Sequence, residues 1–311
     1  SSPQRHETLS AYSDPSLDER VEGVFGCMSG VFEGLREAYR RDGFVVVRGL
    51  LEVEEAMALR QQLVEHSGVT DADFDDVGDG VPRKWTSPAG VAQVPAFQHL
   101  LVDERLVALS REVLGPEAVY LHHNDLHAGY SSPGWHRDNV HRTFGQGEDW
   151  DESTTPYRCA RIALYLQTHA ESGFKFGLIP GSHRRESRLV RWERQAPRFS
   201  TVRRMVMGQR LAFARARWIA TEPGDVVIFD HRVLHCGGRT RGPKYSIYLG
   251  AGIQNDHFNR HWSYYRDLRS DLHYPTVPEA LRERLQSEGL WPKAEVPVLA
   301  HVDHAFLPKA A

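Results

Sequence analysis

Hydrophobic residues recur at helical intervals before Gly115, whereas after Pro116 they alternate or gather in short runs. Val31, Phe32, Leu35, Ala38 and Tyr39 share one face of a helix that Asp42-Gly43 ends. Ala58, Leu59 and Leu63 mark a second helix over residues 54–66, and residues 101–114 read as a third, stopped by Gly115-Pro116. Between the first two, Phe44-Val45-Val46-Val47 is a short buried strand, and the acidic run from Asp71 to Gly80 is a solvated loop.

The second half predicts strands. Residues 119–127 are strand-like with imperfect alternation, and residues 158–167 are cleaner. There Ala160, Ile162, Leu164 and Leu166 take one face, and Arg161, Ala163, Tyr165 and Gln167 the other. Residues 174–179, 210–220 and 226–229 predict further strands, and along residues 244–250 Lys244, Ser246 and Tyr248 oppose Tyr245, Ile247 and Leu249. Helical spacing returns over 258–269 and 278–285. Helices, then many short strands, then helices predict an α+β fold with a mainly β core, a sandwich or barrel braced by helices at both ends. Residues 1–28 lack periodicity and read as a peripheral arm; residues 29–311 read as a single domain with its β core over about 117–255.

Composition narrows the function more than the fold. A formal net charge of −3 gives no case for a nucleic-acid partner. Cys27, Cys159 and Cys236 are odd in number and far apart, against a disulfide framework and for a reducing, cytoplasmic setting. No apolar run reaches the ~18 residues of a membrane span.

The candidate chemistry lies in Trp135-His136-Arg137-Asp138, reached from the turn Ser131-Ser132-Pro133-Gly134. A His and an Asp two apart on a strand point to one side, with Arg137 to the other. They supply two legs of the 2-His-1-carboxylate triad that holds non-haem iron. The same spacing occurs at His123/Asp125 and His301/Asp303, and taken alone each pair is more often hydrogen-bonded polar residues than a metal site. Only His136/Asp138 follows a Pro-Gly turn and precedes a long polar segment, 139–157, able to border an active-site mouth. For the second His, His235 is the best candidate: a Pro-Gly-Asp turn and an apolar strand precede it, and glycines 237 and 238 leave room for a ligand. His231 and His183 are rivals, and Cys236 reads as a small packed residue.

Four motifs in order, Trp-His-Arg-Asp, Leu-Ile-Pro-Gly-Ser-His, Pro-Gly-Asp-Val-Val-Ile-Phe-Asp and His-Cys-Gly-Gly, resemble the phytanoyl-CoA dioxygenase family over roughly residues 40–255. The resemblance implies a double-stranded β-helix (a cupin-like jelly roll) and dependence on Fe(II), 2-oxoglutarate and O₂. It implies His136, Asp138 and His235 as iron ligands, and a small-molecule substrate whose identity it does not carry. The implied reaction oxidises a substrate C–H bond while 2-oxoglutarate becomes succinate and CO₂. Related halogenases lack the carboxylate that Asp138 supplies, so hydroxylation is favoured, with desaturation, epimerisation and ring formation sharing the first steps.

Such relatives clamp the 5-carboxylate of 2-oxoglutarate with an Arg about ten residues after the distal His. Here the matching strand position holds Lys244, with Ser246 on the same face; Arg241 or Arg239 folding back is the alternative. Arg161 and Tyr165 share a polar strand face and could line the same cavity. Residues 184–217 hold eleven Arg against Glu186 and Glu193, which reads either as a solvated face or as a cationic rim for an anionic substrate. Other classes compatible with these residues are a β-helix binding or sensor module without turnover and a cupin-like iron oxygenase that ignores 2-oxoglutarate.

Overall fold

The alternating half of the chain folds as two antiparallel sheets, and the helical segments pack against one of them. The computed structural model describes residues 28–75, 84–131, 134–184 and 215–308. Residues 1–27 of the expected N-terminal arm and most of the arginine-rich stretch therefore lie outside the described residues, as do residues 76–80 of the expected acidic loop. The helices are α1 (Met28–Asp42), α2 (Val53–Ser67), the single turns α3 (Ala72–Asp75), α4 (Gly90–Gln93) and α5 (Pro95–Gln98), then α6 (Glu104–Leu114), α7 (His169–Ser172), α8 (Asp256–Ser263) and α9 (Glu279–Ser287). The strands are β1 (Phe44–Val47), β2 (Lys84–Pro88), β3 (Val119–Tyr120), β4 (Asp125–Gly129), β5 (Cys159–Tyr165), β6 (Phe176–Leu178), β7 (Arg217–Ile219), β8 (Val226–Asp230), β9 (His235–Gly237) and β10 (Lys244–Gly252).

The larger sheet runs β1-β8-β5-β10-β4-β2, with β3 also on β10; the smaller runs β7-β6-β9. A bridge between His136 and His235 extends the smaller sheet. This is the double-stranded β-helix arrangement, mixed with helices in an α+β chain. The period-two pattern decides what each face does. Outward, Ile162, Leu164, Val226, Ile228, Tyr245, Ile247 and Leu249 join Leu59, Leu63, Leu106 and Leu109 of the helices in the main core. Each such side chain contributes roughly 1.5–3 kcal/mol on burial, so the helices are held to this face. Inward, Ala163, Tyr165, Val227 and Phe229 meet Phe174, Phe176 and Leu178 across the space between the sheets. The polar face expected for residues 158–167 is this interior face.

The expected strand 119–127 departs from its pattern. It splits into β3 and β4, both on β10: Tyr120 pairs with Ala251 and Asp125 with Tyr248. Four residues, 121–124, therefore face two, 249 and 250, which makes a bulge. Gly250 is required there, because a Cβ would lie 2.5 Å from the Leu121 carbonyl oxygen and 2.9 Å from that of His123. The bulge breaks the alternation and buries the consecutive His122 and His123. Near the C-terminus, the helix expected over 258–269 is α8 followed by a π-helical turn, Tyr264–Leu268. Asn255 caps it, its side chain accepting from the Phe258 N–H. No described helix is long and apolar enough to cross a membrane.

Candidate metal centre and active site

Two backbone hydrogen bonds set the centre. His136 N–H donates to the His235 carbonyl and His235 N–H to the His136 carbonyl, each at 3.0 Å, a closely paired antiparallel step. Asp138 N–H donates to the His231 carbonyl at 2.8 Å, which fixes the residue two positions on. Alternation then brings the three side chains together. His136 Nε2 lies 3.6 Å from Asp138 Oδ1, and His235 Nε2 lies 3.6 Å from Asp138 Oδ2. The two imidazole centroids are 4.3 Å apart.

The other ring nitrogens are committed. His136 Nδ1 lies 2.7 Å from the Gly134 carbonyl, and His235 Nδ1 lies 2.9 Å from the Val233 carbonyl. A carbonyl can only accept, so each Nδ1 carries the proton and each Nε2 presents its lone pair to the space beside Asp138. Burial, then the neighbouring His136, pushes His235 down to about 3, which keeps it neutral. Burial alone would raise Asp138, but His235, Arg161 and His136 hold its carboxyl far below the usual carboxylate range. The donor set is thus two imidazoles, each turned with Nε2 toward the centre, and one carboxylate, with ligand atoms within 4.8 Å of one another. That chemistry fits a divalent first-row metal with open positions. His136 is exposed, so the centre opens on its side, while Asp138 and His235 are buried.

Arg137 turns away from the centre, and its guanidinium donates to the carbonyls of Arg232 at 3.0 Å and Arg142 at 3.1 Å. The segment after it is anchored on Asp149. This buried carboxylate accepts from the His141 N–H at 3.1 Å and Asn139 Nδ2 at 3.0 Å, and pairs with Arg260 at 3.2 Å. Gly147 (φ +85°) permits the fold-back, since a Cβ there would lie 2.0 Å from the His141 ring. The C-terminal chain closes over the loop, with His141 Nε2 2.8 Å from the Asp303 carbonyl and Phe306 N–H donating to Val140 at 3.0 Å. Asp149→Ala takes the acceptor from the buried His141 N–H and removes the buried counter-charge of Arg260, which keeps only Glu148 at the surface. We expect it to cost about 3–5 kcal/mol, measured by denaturant unfolding.

On the far side of the centre, Lys244, Ser246 and Tyr248 point inward from β10, as their alternation predicts. Lys244 is buried, with Nζ 3.3 Å from the Tyr248 hydroxyl and 5.4 Å from the Phe174 ring centroid. Among the described residues no carboxylate lies within ion-pair distance of it. Burial would raise the Tyr248 phenol, yet Lys244, with Ser246 and Tyr165, holds it below its ordinary value. The Ser246 and Tyr165 hydroxyls are buried around the Tyr248 hydroxyl, and neither makes a hydrogen bond of full geometry among the described residues. A buried cation beside three clustered hydroxyls fits an anionic ligand group.

The structure does not bring Arg241 to this set. It is exposed on the turn before β10, its N–H donating to the Ser172 carbonyl at 2.7 Å, and its side chain lies along Gly173. Arg239 is exposed as well. Arg161 does face inward, at the opposite end of β5 from Tyr165: it contacts Asp125 and His123 and lies 3.7 Å from Asp138 Oδ2. The rivals separate too. His183 faces the Arg40 carbonyl at 3.3 Å, and His301 pairs with Asp303 on the exposed tail. His123 and His231, with His261 from α8, form a second cluster that the sequence reading did not assemble. The i,i+4 pair His257 and His261 on one helical face was its only local signal.

Comparisons with known proteins give the family. The sequence profile of the family "Phytanoyl-CoA dioxygenase (PhyH)" matches residues 39–246. The chain belongs to this family. It is an Fe(II)- and 2-oxoglutarate-dependent dioxygenase. Ectoine dioxygenase of Stutzerimonas stutzeri (strain A1501) is 24% identical over 258 residues, covering 75% of this chain and 80% of that protein. Among solved structures, HygX from Streptomyces hygroscopicus with nickel, 2-oxoglutarate and hygromycin B bound matches with a TM-score of 0.50 and 21% identity, over 70% of this chain and 87% of that one. EctD from S. alaskensis with bound Fe matches with a TM-score of 0.46 and 20% identity, over 70% of this chain and 75% of that one. For this dioxygenase the structural likeness speaks to the fold.

Proposed function

We propose that this dioxygenase hydroxylates an unactivated C–H bond of a small polar molecule, with His136, Asp138 and His235 holding the iron and Lys244 receiving 2-oxoglutarate. The carrying observation is the pair of Nδ1-anchored imidazoles whose Nε2 atoms meet one ionised carboxylate. The stoichiometry balances: substrate R–H, O₂ and 2-oxoglutarate give R–OH, succinate and CO₂. When bound, iron supplies the activation of O₂ that the protein's own groups cannot perform. The chain's residues do the rest. Asp138 is the one anionic donor beside two imidazole donors, a set that would leave a divalent metal electrophilic. Lys244 neutralises the 5-carboxylate as a point charge, without the bidentate fork of an Arg, and the Ser246 and Tyr165 hydroxyls supply the missing directed donors. The surrounding Phe174, Phe176 and Phe229 keep water from that end. The names of two relatives, an ectoine dioxygenase and a structure holding hygromycin B, support a small polar substrate. The cationic rim expected over 184–217 falls mostly outside the described residues and lends no support to an anionic one.

Anaerobic addition of Fe(II) and 2-oxoglutarate should give a visible metal-to-ligand charge-transfer band, and a metabolite screen should give succinate formation that His136→Ala lacks. Tight metabolite binding without that band would favour a binding module, and O₂ uptake without succinate an oxygenase that ignores 2-oxoglutarate. Lys244→Met should weaken 2-oxoglutarate about a hundredfold or more, since a buried carboxylate then has no counter-charge. Lys244→Gln should recover little, and titration of the same band measures both.

A further inference from the structure

The bulge at 121–124, the end of β8 and helix α8 bring three distant histidines together beside the metal ligands. His123 Nδ1 lies 3.0 Å from His261 Nε2, and the His231 ring lies 5.4 Å from that of His123 and 4.2 Å from that of His261, centroid to centroid. All three are buried, and one nitrogen from each falls within 4.8 Å of the others, a spacing that a metal could bridge.

Arg161 decides against a metal. Its guanidinium can only donate, and it contacts His123 Nε2, which must therefore accept. The proton of neutral His123 then sits on Nδ1 and is given to His261 Nε2, so the proton of His261 sits on its Nδ1. A metal on His123 Nδ1 would require an imidazolate. His136 and His235 carry the proton on the same nitrogen, but their Nε2 atoms are left free, whereas that of His123 is taken by Arg161.

The relay ends without a partner. His261 Nδ1 and both nitrogens of His231 are buried with no hydrogen-bond partner among the described residues. Burial holds His261 down to about 4 and His123 well below the usual range, so both are neutral. A charged His231 ring would be buried against them with no hydrogen-bond partner for its N–H groups among the described residues. Each unpaired buried group costs roughly 1–3 kcal/mol, and a ligand would offset that cost. The cluster has no spare charge either, because Arg161 is paired with Asp125. A charged ligand group entering here would be buried without a counter-ion.

Position assigns the ligand a role. On the paired strands β5 and β10, Tyr165 sits opposite Ser246, and Arg161 sits opposite Gly250. Those steps are four residues, or ~13 Å, apart. The histidines thus lie at the end opposite Lys244, and Asp138 contacts Arg161 at 3.7 Å on the way.

We propose that His231 and His261, oriented through Arg161 and His123, form the subsite for the molecule being oxidised, and that it takes an uncharged, hydroxyl-bearing group such as a polyol or sugar ring. The subsite offers two N–H donors and one bare nitrogen. A hydroxyl both accepts and donates, so neighbouring hydroxyls satisfy all three. A carboxylate or fully ionised phosphate has no proton for the bare nitrogen, and an alkyl chain serves none of them. This inference rests on the iron and 2-oxoglutarate assignment above and adds the substrate class.

The test uses the full chain loaded with 2-oxoglutarate and with Zn(II) in place of iron, observing histidine nitrogens by nitrogen-15 NMR. Glucose and myo-inositol are the neutral probes, glucose 6-phosphate and octanoate the charged and aliphatic ones. The expected result is Nδ1–H tautomers at His123 and His261, and saturable shifts of His231 and His261 with a neutral probe alone. His231→Phe should weaken that binding about tenfold, the loss of one or more hydrogen bonds in a buried site. His231→Gln, which keeps a donor and an acceptor, should retain most of it. Saturation by glucose 6-phosphate or octanoate instead, by a second equivalent of Zn(II), or by none of these probes overturns the proposal, the last leaving a packing cluster. The anaerobic Fe(II) and 2-oxoglutarate band separates the two readings: its absence in the unaltered protein sinks the iron assignment, whereas its presence with silent histidines sinks only this subsite.

Discussion

Asp138→Ala abolishes stoichiometric iron retention and with it all succinate formation. Asp138 is the only anionic ligand in the set, and its carboxylate is what both Nε2 atoms approach at 3.6 Å. Its removal should cost far more than the roughly 10–100-fold in metal affinity that loss of an outer partner costs. Three positive or metal-directed groups would be left facing a cavity: the two imidazoles, and Arg161 at 3.7 Å from the position of Oδ2. Asp138→Asn separates charge from shape. The amide keeps the volume and an oxygen, but it removes the negative charge while Arg161 stays, so it too should fail to hold iron. Metal analysis after gel filtration reads both variants, with circular dichroism confirming the fold. Asp138→Asn protein that carries one iron per chain and forms succinate would count against the assignment.

The candidate metal set could be assembled from the sequence because its geometry rests on local rules. His136 and Asp138 share a face by strand alternation, and His235 follows a Pro-Gly-Asp turn and a fully buried strand, β8. Lys244 was legible for the same reason, since its strand phase points inward whichever residue it is paired with. Arg241 failed as a candidate because the turn before β10 directs its backbone to Ser172 and its side chain outward. The histidine cluster was illegible for a different reason. His123 owes its inward aim to a two-residue bulge that breaks period two, and His261 comes from a helix whose docking no local pattern sets. Strand β2 was missed as well, for Lys84-Trp85-Thr86-Ser87-Pro88 is a polar edge strand, with its pairing to β4 supplied by the fold.

Acid should destabilise the metal-free protein well above the range where carboxylates titrate. His122 is buried, between the Tyr120 hydroxyl at 2.7 Å and the Pro275 carbonyl at 2.8 Å, and burial pushes it down to about 4. Burial likewise pushes His261 to about 4, against the pull of Asp149 and Asp138. In the unfolded chain both return to ~6.5. Between ~6.5 and ~4 the unfolded state therefore binds protons that the folded state refuses, and stability falls as pH falls. Each histidine contributes a slope approaching about 1.4 kcal/mol per pH unit in that window, none above it, and no further loss below the folded value. Two such residues remove several kcal/mol, comparable with the whole net stability of a domain, about 5–15 kcal/mol. Chelator-treated protein should show a steadily falling urea midpoint from about pH 7 to about pH 4.5. His122→Gln, which can still serve Tyr120 and Pro275, should flatten that fall by about one histidine's share. A midpoint that stays level down to about pH 5 would mean that the buried imidazoles accept protons as freely as exposed ones. The neutral tautomers invoked for the substrate subsite would then lose their footing, while the metal ligands, whose geometry stands on backbone hydrogen bonds, would not.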